Sequence, residues 1–255
     1  MKYFVHPGSV VRTIWGKSDT VLFIFAGAAA EFSLNKAVDW LYFTGRLPAD
    51  PIGRLFSTVG YAKQIIFAEQ DTALAAIDRM KVIHSGVEAS RGFSIPDYAY
   101  RDVLFMLIHY SIASFELLER KLTQAEKEEV FRVFYAVGSR MGIPRLPVDY
   151  ADWQKAHQKQ LRYNLQHSAY TQDLYRQYRK HLGPLRYFIL LKVQSRIVPG
   201  TVLKLLRLSP SKSMKVLLLL YKRTGQSWLN RLARSILLPT AYAQQIRQLD
   251  QHPRL

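Results

Sequence analysis

The sequence predicts an all-α protein, a multi-helix core followed by basic C-terminal helices, and three observations carry that expectation. Helix-capping residues recur along the 255 residues and can be paired with glycine or proline stops. Neither Asn-Gly nor Asp-Gly occurs, so the strongest hairpin signal is missing. An apolar content of 49% against 22% charged residues is enough to close one sizeable core, which excludes a disordered chain.

Taken in order, Ser18 or Asp19 can cap a helix reaching about Leu34, and Asn35 a second one ending near Gly45. Asp50-Pro51 places a cap before proline at the first helical position, where the missing N–H costs nothing, and launches a helix through Ala68. Asp71 opens the next, in which Leu74, Ile77, Met80, His84 and Val87 follow the three-and-four spacing of one buried stripe. His84 is therefore expected to point inward. Asp97 opens a long helix with Phe105, His109 and Ile112 on one face, so His109 is expected to be buried as well. Thr123 and Glu126 form a capping box for a helix to Met141, with Gly142 placed to stop it. Asp149 and Thr171 can cap two more, the second ending at Gly183-Pro184. Short segments follow, separated by Pro199-Gly200, Ser209-Pro210-Ser211 and Thr224-Gly225. The expected division is a helical domain over 1–200 and basic amphipathic helices over 201–255 packed on it.

The absence of cysteine excludes disulfides, thiolate zinc sites, iron–sulfur clusters and thiolate-ligated haem, so any metal must rest on His, Asp, Glu or Tyr. No HExxH, paired ExxH, GxSxG or GxxxxGK[ST] pattern occurs, which removes the zincin, di-iron bundle, serine hydrolase and phosphate-loop classes. The longest apolar run, Val21 to Ala30, falls short of the ~20 residues that a membrane-spanning helix needs. Pro7, Gly8 and Arg12 interrupt the start where an export signal needs an apolar stretch, so a cytoplasmic location is expected.

What remains is an inward histidine in basic company. Lys81 and Arg79 precede His84 on its own helix, and Arg54 and Thr58 lie one turn apart on the helix before. A neutral imidazole with cations beside it suits haem b, whose body is apolar and whose edge is anionic. The bland reading makes His84 and His109 ordinary core residues and the cations solvated helix charge.

The runs DPIGRLFSTVGYAKQIIFA, AIDRMKVIHSGVEASRG, AYRDVLFMLIHYSIAS and VFYAVGSRMGIPRLP together resemble one family. It is the domain shared by bacterial rubber oxygenases (latex clearing proteins) and a fungal ER-bound oxygenase of mycophenolic acid biosynthesis. The resemblance spans roughly residues 20–200 and centres on an Arg, a Thr four residues on and a later His, the places of Arg54, Thr58 and His84 here. It implies a globin-like helical core holding haem b, with His84 as the iron ligand and Arg54 and Thr58 in the haem pocket. Arg79, Lys81 and His109 complete the candidate cofactor-binding residues. It also implies an O₂-dependent oxygenase acting on a hydrophobic, isoprenoid-like small molecule. Rubber-cleaving members carry Lys before the signature Thr, where this chain has Ser57, and an upstream Glu as base, for which Glu31 and Asp39 are the nearest candidates.

The net charge of +17 is concentrated at one end, because residues 176–255 hold 16 Lys and Arg against Asp250 alone. The basic residues interleave with aliphatic runs over 184–238, the pattern of helices that lie in an anionic membrane interface. Peripheral attachment to an anionic membrane surface is the expected partnership. The alternative packs Leu217 to Leu220 and Ile236 to Leu238 on the body and leaves the charges solvated. Nucleic acid ranks lower, since no helix-turn-helix or single-strand-binding signature accompanies the charge. The non-enzymatic alternative is a haem-free helical protein whose basic face binds anionic lipid or another acidic partner.

Overall fold

The computed structural model describes residues 2–45 and 49–224. Eleven helices and no strand occur among the described residues, as the capping pattern predicts. They are α1 (Val10–Trp15), α2 (Ser18–Leu34), α3 (Asp39–Phe43), α4 (Pro51–Phe67), α5 (Gln70–Arg91), α6 (Asp97–Leu118), α7 (Gln124–Met141), α8 (Tyr150–Tyr163), α9 (Ala169–Ile197), α10 (Gly200–Leu205) and α11 (Lys212–Thr224). The caps act as expected at several starts: Asp50 accepts from the N–H of Gly53, Asp149 from that of Asp152, and Thr123 and Glu126 satisfy each other in a full capping box.

Helices α2 and α6 form the central pair, with α9 on the far side of α2 and α7 and α8 beside α6. Gly27 makes that pairing close, because a Cβ there would lie 2.3 Å from ring carbons of Tyr110. Trp15 fills the space above the pair. Its indole N–H donates to Ser111 Oγ at 3.1 Å, and its ring meets Phe25 edge-on with centroids 6.1 Å apart. Helices α4 and α5 pack on each other, α5 leans on α7, and α1 bridges α4, α2 and α7.

Three segments differ from the expectation. The start of the chain forms α1, capped by the side chain of Ser9, which a reading of that segment for export signals passes over. The helix expected from Asn35 to Gly45 contracts to Asp39–Phe43: Asn35 accepts from the N–H of Ala37 with its Oδ1, but its amide donates to Asp102 and its backbone pairs with Leu165. Gly183-Pro184 bends a helix instead of ending it. Gly183 takes φ 73° and ψ 169°, a conformation nearly confined to glycine, and Pro184 restarts the coil, so α9 continues to Ile197.

The basic segments dock on the body as far as they are described. Met214 and Leu218 of α11 pack with Val193, Ala26 and Leu118, and Tyr221 donates its hydroxyl to Asp19 on α2. Val216, Leu217 and Leu219 stay exposed on the same helix. Residues 236–238 lie outside the described residues. No helix of the described residues is long and apolar enough to cross a membrane.

Candidate functional site

Two polar clusters lie inside this helical frame. The first runs along the inward face of α5, where His84, Glu88 and Arg91 follow one another at helical spacing. The Nδ1 of His84 sits 2.7 Å from the carbonyl of Met80. A carbonyl can only accept, so Nδ1 carries the proton and Nε2 presents its lone pair. Burial is the main reason that the His84 pKa falls below the usual range, and the nearby Arg54 charge adds to it against the Met80 carbonyl. The ring is therefore neutral at physiological pH, edge-on to Tyr100 with centroids 5.3 Å apart.

The neighbours of His84 are fixed in turn. Glu88 Oε1 accepts from the Tyr100 hydroxyl at 3.2 Å and from the N–H of Ile95 at 2.8 Å. Arg91 binds Asp39 Oδ2 at 2.7 Å and lies over the Trp40 ring at 3.9 Å, while its buried Nη1 has no hydrogen-bond partner. Thr58, half-buried on α4, donates to the carbonyl of Arg54 at 3.2 Å. Arg79 and Lys81 are exposed, and Lys81 reaches toward the cap of α7 at Gly142. The structure thus brings Arg54 to His84 and adds Arg91, which sequence reasoning did not single out. The spacing of seven from His84 is the signal that could have found it.

The second cluster surrounds Glu31 on α2, which has no exposure at all. Its Oε2 accepts from the Tyr110 hydroxyl at 2.8 Å, its Oε1 from the Gln160 amide at 2.8 Å, and His157 Nε2 stands 3.9 Å from Oε1. His157 stacks on Trp153 with an interplanar angle of 8° and faces His109 across 4.8 Å. Burial pushes the His109 pKa down to about 4, His157 adds to the depression, and Glu31 opposes it. His109 is half-buried with its Nε2 inaccessible, and it lies with Glu31 and not with His84.

His109 Nε2 and His157 Nε2 have no hydrogen-bond partner and no exposure. Beside the cluster, Asp102 accepts from Asn35 and Asn164, and burial still lifts its carboxyl to about 6. Tyr110, His157 and Gln160 are the members that sequence reasoning missed. The recurrence of Tyr150, Trp153, His157 and Gln160 along α8 marks its buried stripe. Among the described residues, no group of three or more His, Cys, Asp or Glu side chains is arranged to hold a metal ion.

The donor set on α5 fits a haem. A metal-binding histidine ordinarily donates its other ring N–H to a backbone carbonyl, which fixes the tautomer and aims the free nitrogen. His84 does so through Met80, with cationic Arg54 nearby for an anionic edge. Of the two carboxylates considered as bases, Glu31 is enclosed by its donors and Asp39 is bound by Arg91.

No significant match to this chain is found among curated proteins or among solved structures. The family model described as ER-bound oxygenase mpaB/B'/rubber oxygenase, catalytic domain, matches residues 15–245, nearly the whole length. With that coverage and the four matching segments in order, the chain belongs to the family of ER-bound oxygenase and rubber oxygenase catalytic domains.

Proposed function

We propose that this protein is a haem-b-dependent oxygenase acting on a hydrophobic small molecule, and that His84 Nε2 would hold the haem iron. The observation that carries the reading is the lock between His84 Nδ1 and the Met80 carbonyl, which leaves a neutral, aimed donor on a half-buried face. When bound, haem would supply the dioxygen chemistry for which these side chains have no equivalent. Arg54 places positive charge beside the imidazole, which disfavours its protonation and offers an anionic group a partner. Thr58 sets its hydroxyl back on the Arg54 carbonyl and so keeps that turn of α4 closed.

A separate apolar cavity of about 100 Å³ between α2, α4 and α9 has room for a small apolar group of a hydrophobic substrate, not for a whole one. Leu22, Phe23, Ile52, Phe56 and Leu190 line it, and Arg186 is the one charged residue among its walls. Helix α4 links the two places, because Ile52 and Phe56 face the cavity while Arg54 lies near His84. The test is the absorption spectrum of protein purified with haem supplied. A Soret band that stays with the protein after unbound haem is removed and that His84→Ala loses supports the reading, and wild-type protein that retains no band after the same treatment overturns it.

A second reading concerns location, and the exposed apolar row on α11 favours it. Val216, Leu217 and Leu219 stand in solvent beside Lys212 and Lys215, and Leu185 and Phe188 do the same on α9. Such a face suits reversible attachment of a cytoplasmic protein to an anionic membrane, by apolar burial plus attraction of the basic residues. The side chains of Lys222 and Arg223, and Arg231 and Arg234 altogether, lie outside the described residues. Flotation with anionic against neutral vesicles tests attachment, and equal recovery with both would exclude it.

A further inference from the structure

A cleft of about 380 Å³ lies along α9, and none of the side chains of either cluster lines it. It owes its shape to the bend at Gly183. The first half of α9 contributes Tyr175, Arg176 and Arg179 at helical spacing, and the half beyond the bend brings Tyr187 and Leu191 against the same space. The turn after α10 closes the remaining side with Leu206 and Leu208, held by the bond from the Leu208 N–H to the Leu203 carbonyl at 2.9 Å. Arg207 between them adopts φ 54°, which lets both leucines point toward one wall.

The two ends of the cleft differ in chemistry. One end carries Arg176 and Arg179, with His167 beside them, and no carboxylate lines the cleft anywhere. Arg176 has a contact to Asp173 at 3.4 Å, but that carboxylate also accepts from the Tyr42 hydroxyl at 3.0 Å and stands outside the lining. The other part of the lining is aliphatic, from Leu191, Leu206 and Leu208, with Tyr187 near Arg179. Its volume falls within the ~300–1,000 Å³ of small-molecule sites, which combine an apolar lining with a few placed polar groups.

We propose that this cleft binds a single-chain anionic amphiphile, its phosphate or carboxylate head on Arg176 and Arg179 and the adjoining methylenes on Leu191, Leu206 and Leu208. Paired guanidinium groups one turn apart suit a multidentate anion, and the apolar end explains why a head without a chain is not the ligand. The site is independent of the cofactor reading, since it shares no residue with the α5 face or the apolar cavity between α2, α4 and α9. The ligand can arrive as a free monomer or be drawn from a bilayer, and the shared chemistry is one anionic head on one aliphatic chain.

Titration calorimetry on the full chain decides it, with dodecyl phosphate kept below its micelle concentration. One saturable site is expected, with inorganic phosphate and the neutral-headed dodecyl maltoside each binding at least tenfold more weakly. Arg176→Gln with Arg179→Gln should weaken dodecyl phosphate at least tenfold with an unchanged helical circular dichroism signal, and Leu208→Asp should do the same from the other end. Vesicles doped with dodecyl phosphate separate the sources: depletion of the lipid by soluble protein marks extraction, and its absence leaves the free monomer as the source. Equal affinity for inorganic phosphate, equal affinity for the neutral amphiphile, or full retention in the double arginine variant overturns the proposal.

Discussion

Around Glu31 both carboxylate oxygens are taken by donors, and neither Glu31 nor Tyr110 has any exposure, whereas on α5 the half-buried His84 ring is held by one nitrogen and keeps the other available. The two clusters draw on the same residue types, histidine, tyrosine and a carboxylate, so composition does not separate them. Their enclosure does. A polar group with no exposure contributes by satisfying its neighbours, and its removal is felt in stability. A half-buried imidazole with a fixed tautomer and a free lone pair has the form that a metal-ligating histidine takes.

The largest expected effect tests that contrast directly. His84→Ala should lower haem content more than tenfold with little change in unfolding midpoint, while His109→Ala should keep the spectrum and unfold earlier. If both variants keep haem equally, the distinction between the clusters collapses.

Next in size, Glu31→Ala leaves the Tyr110 hydroxyl and the Gln160 amide buried without their acceptor and opens a void. A loss of about 2–6 kcal/mol in denaturant unfolding is expected, from two buried donors left unsatisfied at about 1–3 kcal/mol each. A loss under about 1 kcal/mol, the ordinary worth of one hydrogen bond, would mean that water already serves those donors.

Two glycines sharpen the comparison at the backbone level. Gly27→Ala forces a methyl into the Tyr110 ring, and Tyr110 cannot retreat without releasing Glu31. A cost of about 1–3 kcal/mol, typical of overpacking, is expected together with altered near-ultraviolet tyrosine signals. Gly183→Ala meets no atom within 4 Å, but φ 73° and ψ 169° are poorly accessible to alanine. About 1–3 kcal/mol is expected there from strain alone, with no change at Tyr110.

The smallest effect is a pH slope. The His109 pKa lies at about 4, below the 6.5 of an unfolded histidine, so the unfolded chain binds more protons between those values and stability falls as pH drops through them. Asp102, lifted to about 6 from 3.8, acts in the opposite sense, since its contribution is present below its unfolded value and is lost as pH rises through about 6. The two offset each other over much of the range from pH 4 to 6. Asp102→Asn should therefore steepen the acid-side loss of stability, and a curve unchanged from wild type would show that Asp102 titrates near its ordinary value.

The sequence exposes those parts of this protein that local rules govern. The caps at Asp50, Thr123 and Asp149 act within one turn of themselves and lie where the rules put them. Asn35 uses its Oδ1 locally, on the N–H of Ala37, but its amide donates to Asp102, 67 positions away, and its backbone pairs with Leu165, partners that no local rule contains. The inward face of His84 follows from spacing alone. That His109 meets His157 and Glu31 does not, because three separate helices must first be placed. Gly183-Pro184 shows a different limit: the dipeptide signals a break in regular geometry and is silent on whether the coil resumes.

The small clamp at Asn35 has a consequence for the order of folding. The carbonyl of Leu34 accepts from Gln166, the N–H of Lys36 donates to Asn164, and Asp102 is bonded by Asn35 and Asn164 together. The end of α2 thus waits for a chain segment synthesised about 130 residues later, and Glu31 one turn earlier waits for Gln160 in the same segment. Contacts so distant along the chain delay closure of the core. During synthesis, α6 emerges first and can cover α2 and give Tyr110 to one oxygen of Glu31, but the other oxygen and the end of α2 stay unpaired until α8 and the segment after it arrive, an interval in which the nascent chain is exposed to aggregation.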